Sequence, residues 1–145
     1  MKKIMMIVIL GVLGYSLALA KDESVKKTSH KVLESKLNFT FVYGDKISNF
    51  VLKESKGIKY LTFSSSFEPY REVALRPGEL DYILKKIQSI PHRIEKEENC
   101  GRLYASLNST IGAQSYRSVA CLKGTTPTAK GLLELANTLS FIVQK

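Results

Sequence analysis

The groups in this 145-residue chain that could do chemistry are few: two cysteines, two histidines and thirteen acids. Cys100 and Cys121 are the sharpest pair. Their spacing is nothing like Cys-x-x-Cys, so neither a dithiol redox motif nor a thiolate metal clasp is indicated. In an oxidising compartment an even count reads as a disulfide. The flanking pattern agrees, because residues 101–108 and 113–121 both alternate on either side of Ser109-Thr110-Ile111-Gly112. A four-residue loop with Gly112 in a left-handed conformation pairs Asn108 with Ala113. In that register Cys100 faces Cys121 across the open end of the hairpin.

The same register assigns the two faces. Leu103, Ala105, Leu107, Tyr116, Ala120 and Leu122 form the core side. The other side carries Tyr104 directly opposite Arg117, with Arg102 on the diagonal. Arg102, Tyr104 and Arg117 are therefore the candidate ligand surface, one suited to an anion because arginine and tyrosine are common interface anchors. An ordinary cross-strand stack would use the same residues.

The remaining chemistry is sparse. His30 lies in a polar segment, and His92 follows Pro91 with Glu95, Glu97 and Glu98 nearby. No His-x-x-x-His or comparable ligand spacing is present, so a solvated charged loop is the plainer reading. Gly-x-Ser-x-Gly is absent, and Ser64-Ser65-Ser66 reads as the polar end of a strand. Glu68, Glu72, Glu79 and Asp81 show no spacing that singles out a pair for general acid–base work. Glycine-rich phosphate loops are missing. No cofactor, metal or nucleic-acid ligand is implied. Asn38-Phe39-Thr40 and Asn108-Ser109-Thr110 match the glycan-acceptor pattern, which has meaning only in a glycosylating secretory pathway.

The N-terminus says more about place than about activity. Met1-Lys2-Lys3, the aliphatic run from Ile4 to Leu17 and Ala18-Leu19-Ala20 have the layout of a bacterial-type signal peptide over residues 1–20. No cysteine near the cleavage point suggests a lipid anchor, and retention as a membrane anchor is the rival reading. The expected destination is the periplasm or the medium. No later run is long enough to span a bilayer. The formal net charge of +9 favours anionic partners in general and solubility equally.

Residues 21–36 read as a flexible polar leader and residues 37–145 as a single α+β domain. Leu37, Phe39, Phe41 and Tyr43 alternate and end at Gly44-Asp45. Ile47 to Glu54 and Ile58 to Ser64 flank a turn that sets Phe50 against Leu61 and Val51 against Tyr60. Tyr70 to Leu75 is a short fourth strand. Pro77 opens a helix with Leu80, Ile83, Leu84 and Ile87 on one stripe, stopped before Pro91. After the cysteine hairpin, Thr126 caps a second helix that starts at Pro127 and buries Leu132, Leu135, Ala136, Leu139 and Val143.

The predicted order is ββββ-α-ββ-α: an antiparallel sheet of about six strands with two helices on one face. Arg71-Glu72-Val73-Ala74-Leu75 and Arg117-Ser118-Val119-Ala120-Cys121 resemble each other, and each precedes a Pro-initiated helix. The function expected from this pattern is an exported, non-catalytic binding or accessory protein for an envelope component or another exported protein. The alternatives are a small periplasmic hydrolase using acidic residues, with His92 as helper, and an inhibitor of a secreted enzyme presenting Ser64 to Pro69.

Overall fold

The computed structural model describes residues 34–145. The expected signal peptide, the leader up to residue 33 and His30 lie outside the described residues. Six strands form one antiparallel sheet: β1 (Ser35–Tyr43), β2 (Lys46–Ser55), β3 (Ile58–Ser65), β4 (Arg71–Ala74), β5 (Leu103–Ile111) and β6 (Gln114–Cys121). Helix α1 (Pro77–Ser89) connects β4 towards β5, and α2 (Pro127–Val143) ends the chain. The strands lie in the order β4-β3-β2-β1-β5-β6. The architecture is α+β. β1 begins at Ser35, two residues before the alternation becomes apolar, because Ser35 and Lys36 pair with Ile111 and Thr110 of β5.

One face of the sheet carries the core. Leu37, Leu52, Leu61 and Val73 line up across four strands, and Phe39, Phe50 and Phe63 form the next row. The rings of Phe39 and Phe50 sit 6.1 Å apart and those of Phe50 and Phe63 5.1 Å apart, both tilted. Such pairs add about 0.5–1.5 kcal/mol each beyond their burial. Ile83 and Ile87 of α1 and Leu132, Leu135 and Leu139 of α2 close over these rows. The helices therefore cover one face only, which is what the two stripes in the sequence require.

The helix starts are locally determined. Thr126 Oγ1 accepts the backbone N–H of Ala129 at 3.2 Å, and Pro127 takes the first helical position, where no N–H is needed. At α1, Glu79 reaches back to accept the Arg76 N–H at 3.1 Å and also takes Lys145 Nζ at 2.5 Å. Across the helices Lys86 Nζ donates to Glu134 at 2.7 Å. Gly131 permits close approach: a Cβ there would lie 3.0 Å from Ile90 Cγ1.

Two hairpin registers differ from expectation. The first turn holds two residues as expected but lies one position later, and the second holds two where four were expected. Ser55 pairs with Ile58, so Lys56 and Gly57 alone make the turn, with φ of 52° and 77°. Left-handed φ at both central residues is the type I′ requirement, whose twist matches the flanking strands. Phe50 consequently meets Phe63, and Leu52 meets Leu61. In the second hairpin Ile111 pairs with Gln114 around Gly112 and Ala113, and Asn108 pairs with Arg117 rather than Ala113. Ser109 and Thr110 are strand residues because β1 claims them. Leu37 pairs with Ser109, whose hydroxyl donates to the Lys36 carbonyl at 2.7 Å. The expected partner of Asn108 is displaced by an even number of residues, so the two faces keep their assignments.

Candidate functional site

Cys100 and Cys121 form the expected disulfide, with Cα atoms 4.7 Å apart. They do not bridge as a cross-strand pair. Tyr104 is the register partner of Cys121, and Cys100 lies before β5, after the single 3-10 turn Glu97–Asn99 and beside Gly101, whose φ is 61°. The bond therefore fastens the connection between α1 and β5 to the end of β6. Hydrogen bonds fasten the same segment along the strand. Val119 N–H donates to the Arg93 carbonyl at 2.8 Å, and Glu95 N–H to the Val119 carbonyl at 2.9 Å. The Glu95 carboxylate accepts the Cys121 N–H at 2.9 Å and Arg93 Nε at 3.0 Å. Ile94 thus makes a short parallel bridge to Val119 and covers half of an otherwise open sheet edge. Glu95 lies with its oxygen within 4.8 Å of both sulfurs. Their bond to each other leaves no thiolate to join it around a metal ion.

That bridge fixes which backbone groups of β6 face outward. In a strand the N–H and C=O of one residue point to the same edge, and those of the next residue point to the other. Leu122 N–H turns inward to the Leu103 carbonyl, whereas Val119 turns outward to the connection. Ser115 and Arg117, four and two residues before Val119, therefore present their N–H and C=O outward, beyond the reach of the bridge.

A cleft of about 290 Å³ opens beside them, between the C-terminal end of α1 and the hairpin. Buried Ile87, Ile90 and Leu107 give it an apolar wall. Tyr116 and Ser118 come from β6, held by a Tyr116 hydroxyl bond to Gln114 at 2.6 Å and a Ser118 hydroxyl bond to the Pro91 carbonyl at 3.1 Å. His92, Ser115 and Arg117 are the exposed lining residues. Among the described residues no ion pair engages Arg117.

The three residues of the sequence-predicted ligand surface are not brought together. Tyr104 is half-buried, opposite Val42 on one side and Cys121 on the other. Arg117 faces Asn108, four residues along β6 from the position facing Tyr104, or about 13 Å at the usual rise. Arg102 lies ahead of β5 and forms an exposed ion pair with Asp45 in the β1–β2 turn. Only Arg117 lines the cleft. The apolar wall was not visible in advance, because a gap between a helix end and a sheet edge depends on where α1 docks.

Three of the four acids named as hydrolase candidates, Glu68, Glu72 and Glu79, take separate partners. Glu68 pairs with Lys46, whose hydrogen bond holds its carboxyl below the usual glutamate range. Glu79 is lowered first by Lys145 and then by the Arg76 N–H. Glu72 accepts the Tyr70 hydroxyl at 2.7 Å, which raises the pKa of the phenol. A general acid needs its pKa raised, and Glu68 and Glu79 are shifted the other way. In the proposed inhibitory segment, the Ser66 hydroxyl accepts from Ile47 N–H and donates to the Asp45 carbonyl, while Phe67 is 69% exposed.

No family model, curated protein or solved structure matches this chain. No helix among the described residues is long and apolar enough to cross a membrane.

Proposed function

We propose that this chain is an exported, non-catalytic binding or accessory protein that holds its partner at the cleft between α1 and the β5–β6 hairpin. The observation that carries this reading is the cleft itself: an apolar wall of Ile87, Ile90 and Leu107 beside an arginine with no ion pair among the described residues. Apolar concavities with a few converging polar groups are where ligands bind. Export is supported by the disulfide, since such bonds persist in oxidising compartments. The ion-paired state of Glu68 and Glu79 favours binding over acid–base chemistry.

Octanoate, which joins an apolar tail to a carboxylate, is a suitable first probe. Titrated into methyl-labelled protein, it should shift the Ile87, Ile90 and Leu107 methyl signals, and octanol should shift them less. His92→Trp, which puts bulk at an exposed position of the lining, should weaken both effects. Unmoved cleft methyls at millimolar octanoate would overturn the reading.

A further inference from the structure

We infer that the partner is an extended peptide that adds as a strand to β6 at Ser115 and Arg117, seating an apolar side chain in the cleft and a carboxylate on Arg117. The inference rests on the cleft reading and names the class of partner.

Four observations lead to it. The outward N–H and C=O groups of Ser115 and Arg117 have no backbone partner among the described residues. They are the groups an incoming strand would pair with. The same edge already accepts an extended chain two residues further on, where Arg93 and Glu95 pair with Val119. The site therefore continues an interface that the protein uses on itself. The cleft, at about 290 Å³, is at the lower limit for a small-molecule pocket and suits one side chain better than a whole ligand. Finally, Arg117 sits on the outward face of the edge strand, opposite exposed Asn108, and no ion pair holds its guanidinium among the described residues.

Strand geometry makes the recognition rule specific. The cleft wall lies on the core side of the sheet, with Leu107 and Ser118, and Arg117 lies on the other side. Successive side chains of an added strand point to opposite faces. A residue that enters the cleft therefore has its immediate neighbour beside Arg117. The partner should carry an apolar residue next to a carboxylate, not two positions from it. That carboxylate comes either from an acidic side chain or from a chain terminus.

The test uses the purified, oxidised protein and a fluorescent octapeptide, Thr-Val-Thr-Leu-Glu-Thr-Val-Thr, capped at both ends. It should bind, with hydrogen-exchange protection appearing at Ser115 and Arg117. Moving the glutamate one further residue from the leucine should weaken binding about tenfold, as loss of one charge-assisted hydrogen bond does. Arg117→Gln should weaken the parent peptide by the same factor and leave its glutamine version unchanged. A shorter peptide ending in leucine followed by a free terminal carboxylate, compared with its amide, separates the two carboxylate sources. N-methylation of the peptide amides that face β6 should abolish binding. Equal binding of the methylated and unmethylated peptides would overturn strand addition. Cleft methyls that respond to octanoate but to no peptide would leave the cleft reading standing and sink this inference. Silence to both probes would remove both.

Discussion

Replacing Cys100 and Cys121 together by alanine removes a crosslink between residues 21 apart. On the chain-entropy account, a loop of this length restricts the unfolded chain by about 11 cal/mol/K, or about 3.4 kcal/mol at room temperature. The described domain spans residues 34–145, 112 in all. A domain of that size unfolds with an entropy of about 235 cal/mol/K, so the melting temperature should fall by roughly 14 °C. On the folded side the hydrogen bonds from Arg93 and Glu95 to Val119 remain, so the connection stays in place at room temperature. Thermal melts of parent and double variant, each with and without a reductant, test this. The reduced parent should melt near the variant, and the variant should ignore the reductant. Equal melting of parent and variant in oxidising buffer would refute the argument.

Two further outcomes follow from the helices. The Glu79 carboxyl is held below its ordinary 4.5 by Lys145 first and by the Arg76 N–H second. A depressed carboxylate contributes stability that is present above its ordinary pKa and lost as the pH falls through the folded value. Glu79→Gln should therefore lower the urea midpoint at neutral pH, with the gap closing as the pH drops below 4.5; a gap independent of pH would contradict this. Gly131→Ala gains up to about 1 kcal/mol of helix preference but sets a Cβ 3.0 Å from Ile90 Cγ1. Ile90 must yield, and the cleft it lines is the space beside it. Stability should stay within about 1 kcal/mol of the parent while octanoate binding weakens; unchanged octanoate affinity would show that Ile90 relaxes elsewhere.

The fold was legible where local rules act alone. Thr126-Pro127, Pro77 and the stripes at Ile83, Ile87, Leu132, Leu135 and Leu139 place both helices within the bounds observed. Alternation assigns most strand faces, but it fails at the end of β1, where Val42 is buried and Tyr43 is 64% exposed. It cannot assign registers, because any even slip preserves the pattern. At Lys56-Gly57 and Gly112-Ala113 the decision rests on twist-matched two-residue turns and, in the second case, on the pull of β1 on Ser109 and Thr110. The disulfide was expected from the even cysteine count and from a register the protein does not use. What joins the sulfurs is a turn at Gly101 that lies outside the hairpin. Of the expected ligand surface, Arg117 alone reaches the cleft, since Arg102 and Tyr104 depended on that same register. The cleft itself follows from the docking of α1 on the sheet, which no local pattern encodes.

The strand order has a consequence for how the chain is made. β1 sits in the middle of the sheet, yet its two neighbours differ in origin: β2 follows after a two-residue turn, while β5 arrives only after β2, β3, β4 and α1. Tyr43 must find Leu103, and Ser35 must find Ile111. Such long closures are slow, because chain entropy is spent before any contact forms. Of β1, β2 and β3, the earliest made is thus the last to be flanked on both sides. Until then it shows a bare edge next to Leu37 and Phe39, the kind of template along which chains stick to one another. Fragments ending between α1 and β5 should therefore self-associate through β1, and β5 is the segment that ends that exposure.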